Sequence, residues 1–125
     1  ALFHPVQMNL PDGLPEPGNR YVKKVLQIIE SQYPQKILLQ NLCEDLGVSS
    51  VYLQTKFKEE MHYTFHDFLN RYRIQQAVKK MKETDYKVYE IADMVGFSDY
   101  KYFIQVFKKY VGMSPKKFFE RSGRI

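Results

Sequence analysis

The chain has 125 residues, a net charge of +5 and one cysteine, Cys43. That length supports one domain, or two small subdomains sharing a helix, with a core that needs no staples; a single cysteine excludes an internal disulfide and fits a reducing cytoplasm. No apolar run approaches the ~18 residues of a membrane span and no signal-peptide pattern opens the chain, while a pI of about 9.2 favours a polyanionic partner.

Residues 1–20 carry Pro5, Pro11, Pro15 and Pro17 with Gly13 and Gly18, which break any helical period. They read as a linker, the lead-in to an output module of a longer protein; the alternative is an ordinary ragged N-terminus. From Tyr21 the period becomes helical, with Val22, Val25, Leu26 and Ile29 on one face and Pro34 ending the segment. A second helix is predicted from Leu39 to Leu46, stopped by Gly47 in the left-handed conformation. Ser49 caps a third that ends near Met61. Thr64 opens the longest helix, with Asp67 in capping-box position and Phe65, Phe68, Leu69, Tyr72, Ala77 and Met81 as anchors. Its ~19 residues span roughly 28 Å, close to the ~34 Å of a DNA turn once the flanking turns are added. Helices over Val88–Val95 and Asp99–Val111 follow, and Ser114-Pro115 starts a seventh, with proline where a first-turn N–H would be unpaired anyway. No strand pattern interrupts them, so the expected class is all-α.

One stretch is written twice. Leu42-Cys43-Glu44-Asp45-Leu46-Gly47-Val48-Ser49 recurs as Ile91-Ala92-Asp93-Met94-Val95-Gly96-Phe97-Ser98, an offset of 49 residues that becomes 50 beyond the turn. Tyr52-Leu53 and Phe57-Lys58 then return as Tyr102-Phe103 and Phe107-Lys108. Each copy is helix, glycine-centred turn, helix, the layout of a helix-turn-helix. Charge follows the second copy: residues 1–69 hold six Lys/Arg against eight Asp/Glu, residues 70–125 thirteen against six.

In each copy the second helix commits one face to packing, leaving Ser50, Val51, Gln54, Thr55 and Lys58 opposite in the first and Tyr100, Lys101, Ile104, Gln105 and Lys108 in the second. Gln54 and Gln105 have the donor–acceptor pair that matches adenine, Lys101 can donate to guanine O6 and N7, and Val51, Thr55 and Ile104 suit thymine methyls. Lys58 and Lys108 sit a turn further on and suit phosphates, as do Arg73, Lys109 and Lys116 near the same face. For either helix alone a plain solvated face would be the better reading. Outward Val51, Tyr100 and Ile104, present in both copies together, favour a partner.

These residues are similar to the AraC-type transcription regulators, from about Tyr21 to Arg121. The specific stretch is Ile91-Ala92-Asp93-Met94-Val95-Gly96-Phe97-Ser98, Tyr102-Phe103, and Val106-Phe107-Lys108-Lys109-Tyr110-Val111-Gly112-Met113-Ser114-Pro115, with Arg73-Ile74 and Ala77 upstream. The resemblance implies seven helices, with one helix-turn-helix subdomain over 21–63, a linker helix over 64–84 and a second subdomain over 85–125. It implies recognition helices in successive major grooves of double-stranded DNA. RNA polymerase and a second copy, paired through a preceding N-terminal domain, are further expected partners. The Asp99-Tyr100-Lys101-Tyr102-Phe103 wording resembles members that serve two-component response regulators, so a phosphoacceptor receiver is expected ahead of this module; a small-molecule-sensing β-barrel is the alternative. Departures from the pattern are His62 for Gly, Cys43 for Ala, Gln105 for Arg and Lys56 for an apolar residue. Gln105 shifts preference from guanine towards adenine, and Lys56 predicts looser packing of the first subdomain.

Other readings are weaker. His62 and His66 at i, i+4 lack a third metal ligand, Cys43 occupies the small apolar position of Ala92, and no phosphate-cradling glycine loop is present. No enzyme activity, catalytic residue, metal or cofactor is expected. A basic protein-interaction adaptor remains as a rival and predicts binding without base preference.

Overall fold

The computed structural model describes residues 17–121, which contain seven helices and no strand. They are α1 (Arg20–Gln32), α2 (Leu39–Leu46), α3 (Ser50–Met61), α4 (Phe65–Glu83), α5 (Val88–Met94), α6 (Tyr100–Val111) and α7 (Pro115–Arg121). Most helix ends follow local chemistry. The Ser49 hydroxyl accepts from the Tyr52 amide at 3.1 Å, and the Thr64 hydroxyl from the Asp67 amide at 3.1 Å. Gly47 closes α2 at φ 71°. The Ser114 hydroxyl caps α7 through the Lys117 amide, with Pro115 as its first residue.

Several expectations are corrected. Residues 1–16 of the expected linker lie outside the described residues, but Asn19 and Arg20 belong to the fold. The Asn19 side chain caps α1 by accepting from the Tyr21 and Val22 amides. The Asn19 amide in turn donates to the Glu60 carboxylate at 3.0 Å. Asp67 makes only half of a capping box, because its carboxylate is taken by Arg71 and Tyr110. The extra residue of the second copy moves the cap of α6 from the position of Ser98 to Asp99, whose carboxylate accepts from the Tyr102 amide.

The two copies are built alike. α1 packs on α3 much as α4 packs on α6; the short helix α2 packs on α3, and α5 packs on both α4 and α6. Helix α4 also touches α3, so it is shared. Its buried residues therefore lie around much of its circumference, Phe65, Phe68, Leu69, Tyr72, Ile74, Ala77, Val78 and Met81, rather than along one stripe. Edge-to-face rings fill each core: Phe57 lies 6.0 Å from Phe65 and 5.5 Å from Phe68 in the first. In the second, Phe97 lies 5.2 Å from Phe103, and Phe107 5.8 Å from Phe118. Such pairs contribute about 0.5–1.5 kcal/mol each beyond their buried area. Lys56 does not loosen the first unit. It turns outward to Glu59 at 3.4 Å, while Leu53 and Phe57 on either side are fully buried.

Candidate nucleic-acid interface

Helix α3 buries Leu53, Phe57 and Met61, which turns Ser50, Val51, Gln54, Thr55 and Lys58 to solvent. Val51 is 77% exposed, a high value for an apolar side chain without a partner. The Gln54 amide is held by the Ser50 hydroxyl at 2.7 Å, one turn back. On the side towards α1, Tyr52 accepts from Asn19 Nδ2 at 3.0 Å and meets the Tyr21 ring edge-on, so the helix is fixed in rotation.

Helix α6 buries Phe103, Val106, Phe107, Tyr110 and Val111 and exposes Tyr100, Lys101, Gln105 and Lys108. Ile104 is only half available, since it also packs against the core. The Tyr100 ring stacks on Phe103 at 6.1 Å. Lys109 is exposed beside the Tyr110 ring, and Lys116 is exposed on α7.

The start of α4 stands between the two faces. One groove, about 610 Å³, runs along Gln54, Thr55 and Lys58 to Thr64 and His66. A second, about 500 Å³, runs from Thr64 and His66 to Gln105 and Lys109. Thr64 and His66 line both, so the two grooves adjoin at the start of α4.

Beneath the second groove lies a polar cluster that the sequence reading missed. Asn70, buried, donates to the Tyr102 hydroxyl at 3.0 Å and lies 3.5 Å from His66 Nε2. Arg71 donates to Asp67 at 3.1 Å and lies 4.1 Å from the Tyr63 ring centre and 4.6 Å from that of Tyr110. The Tyr110 hydroxyl donates to the other Asp67 oxygen. Burial pushes the Asp67 carboxyl up, but the Tyr110 hydroxyl, Arg71 and Lys109 outweigh it, and it titrates below its usual range. Burial, then the neighbouring Asp67, pushes the Tyr110 hydroxyl well up. Asp67 thus stays anionic and its charge is consumed internally by Arg71, which leaves the groove's rim to Lys109 and Gln105. The period of α4 accounts only for the i, i+4 pairs Asp67–Arg71 and His66–Asn70; the partners Tyr102 and Tyr110 lie 32 and 43 residues away.

Arg73 departs from the phosphate-contact expectation. Its guanidinium donates through Nε to the Tyr33 carbonyl at 2.9 Å and through Nη2 to the Gln35 carbonyl at 2.7 Å. It is half-buried and engaged within the chain. Cys43 is buried, and burial followed by the Glu44 charge pushes its thiol up, which disfavours the nucleophilic form. Among the described residues no three His, Cys, Asp or Glu side chains gather as a metal site, and no helix is long and apolar enough to cross a membrane.

A family model described as a helix-turn-helix domain matches residues 42–121. Over 98 residues, 78% of this chain, the sequence is 42% identical to the transcriptional regulatory protein HptR of Staphylococcus aureus, and that match spans 38% of HptR. Two solved structures share the fold over most of both chains. The C-terminal domain of AraT, a response regulator from Geobacillus stearothermophilus, has a TM-score of 0.79 and 31% identity over 82% of this chain and 86% of that one. The C-terminal domain of the two-component response regulator yesN from Fusobacterium nucleatum has a TM-score of 0.75 and 37% identity over 81% and 99%.

Proposed function

This chain belongs to the AraC-type helix-turn-helix family of DNA-binding domains, and from that premise we propose that it reads double-stranded DNA with both α3 and α6, as the output module of a cytoplasmic response regulator. The observation that carries the double reading is the pair of adjoining grooves: two outward helix faces, each bearing a glutamine and a lysine, border grooves that share Thr64 and His66. Gln54 and Gln105 read adenine edges, Lys101 reads guanine, and Val51, Thr55 and the free part of Ile104 meet thymine methyls. Lys58, Lys108, Lys109 and Lys116 contact phosphates and make the affinity salt-dependent. The internal neutralisation of Asp67 matters here, since an unpaired carboxylate under this groove would repel the DNA backbone.

The regulatory context rests on the relatives. Two of those similar over most of their length are C-terminal domains of response regulators, and the chain spans 38% of HptR's length. A preceding receiver domain would then carry phosphorylation and pair two copies, which raises the effective concentration of each reading head.

Selection of bound duplexes from a random pool tests the reading. The expected result is two enriched segments about one helical turn apart, with affinity that falls steeply as salt rises. Binding without base preference would favour the adaptor, and a single enriched segment would reduce the interface to one helix.

A further inference from the structure

We propose that Arg73 is a positioning residue that sets the spacing of the two recognition helices, by fastening the loop after α1 and the turn before α6 to one point on α4. The inference rests on the two-groove reading and adds to it the device that holds the grooves in register.

The residues at i, i+4 and i+7 of α4, His66, Asn70 and Arg73, form a stripe along the seam between the two units. His66 lies where the two grooves meet, Asn70 holds α6 through Tyr102, and Arg73 occupies the far end. There its guanidinium donates to two carbonyls of the first unit, those of Tyr33 and Gln35. The Tyr33 ring also packs edge-on against Tyr72 of α4 at 5.3 Å, which holds that loop from a second side. The second unit closes over the same spot. A Cβ on Gly96 would lie 2.5 Å from the Tyr33 carbonyl oxygen and 2.7 Å from Arg73 Nε, so the bare glycine backbone rests against both. Phe97, next in the turn, lies 6.0 Å from the guanidinium and packs on Phe103 of α6.

A mechanical line therefore runs from α3 through α1 to the Tyr33 loop, across Arg73 and Gly96, and through Phe97 to α6. Apart from contacts along α4 itself, the two units touch here. Two carbonyls in different directions suit the planar fork of arginine and not the single ammonium of lysine. A phosphate ligand and a positioning bolt also make opposite demands. The first acts alike on every duplex, while the second acts only where both helices must land together.

The test uses the whole chain and the duplexes it selects from a random pool, rebuilt with five base pairs inserted between the two segments, or with the α6 segment alone. Wild type is expected to prefer the native spacing over the insertion by about 100-fold, the gain of linked binding. Arg73→Ala and Arg73→Lys are expected to reduce that preference to less than about tenfold, while affinity for the single segment stays within about twofold of wild type and the salt slope is unchanged. Full spacing preference in both variants would overturn the proposal. So would equal weakening on every duplex with a salt slope lower by about one, the mark of a phosphate contact. If neither variant folds, as judged by circular dichroism, Arg73 is a pillar of the fold and the positioning role is lost. A wild type that binds but ignores spacing would sink the two-groove reading, whereas wild-type preference retained in the variants would sink only this one.

Discussion

The two copies of the repeat each place a glycine at the same point, yet the surroundings differ. Gly47 turns the chain at φ 71° with nothing within 4 Å of where a Cβ would project. Gly96 turns it at φ 106° with the Tyr33 carbonyl and the Arg73 guanidinium against it. The first glycine is needed for its backbone conformation alone. The second is needed for conformation and for contact, because the first unit is packed onto it. A repeat alike in pattern, with the glycine in the same place, thus has one turn that is only a turn and one that is also a joint.

The same asymmetry appears at the C-terminal ends of α3 and α6. Gly112 ends α6 at φ 92°, but the matching position after α3 is His62 at φ 66°, the one non-glycine residue with positive φ among those described. The first unit tolerates that strain at an exposed site, where its amide still closes the helix on the Lys58 carbonyl at 2.9 Å. Charge differs too: α3 ends in Lys58, Glu59 and Glu60, whereas α6 ends in Lys108 and Lys109. Glu60 accepts from the Asn19 amide, so its carboxylate is engaged within the chain.

Substitution at the two turns breaks the comparison most sharply. Gly96→Ala is expected to destabilise the fold by about 3 kcal/mol or more, because backbone must move to admit a methyl group. Gly47→Ala should cost only about 1 kcal/mol, the price of a left-handed residue with a side chain. Equal losses in thermal or urea unfolding would show that both turns are free.

Base readout gives the next largest effect. Gln105→Ala and Lys101→Ala should each relax preference at one or two base positions by about 1–3 kcal/mol. Gln54→Ala should do less, since its amide is already shared with Ser50. Competition assays with single-base variants of a selected duplex measure this, and a larger effect at Gln54 would reverse the ranking of the two units.

The smallest effect concerns strain at the end of α3. His62→Gly should stabilise the chain by about 0.5–1 kcal/mol, the relief of positive φ less the added freedom of the unfolded chain. A rise of a few degrees in the melting temperature is the expected reading; no change would mean that the His62 side chain compensates locally.

Much of this molecule is written in short-range chemistry. Ser49, Thr64, Gly47 and Pro115 mark helix ends from the sequence because a cap needs only a hydroxyl, a missing Cβ or a missing N–H at one place in the chain. The outward faces of α3 and α6 follow equally from a period of 3.6 residues, as does the all-α class. The site is legible to the extent that it lies on those faces. What escaped lies on α4. Arg73 resembled a surface cation and His66 a spare ring, and nothing near either in sequence says otherwise. Their roles depend on Tyr33, Gly96 and Tyr102, brought alongside only when the two units close on the shared helix. Sequence determined each helix, most of its ends and its outward residues, because those are set within a few turns of chain. Tertiary structure alone decided which polar groups on the seam face the partner and which hold the halves together, because that depends on burial and on partners some 30 to 40 residues away.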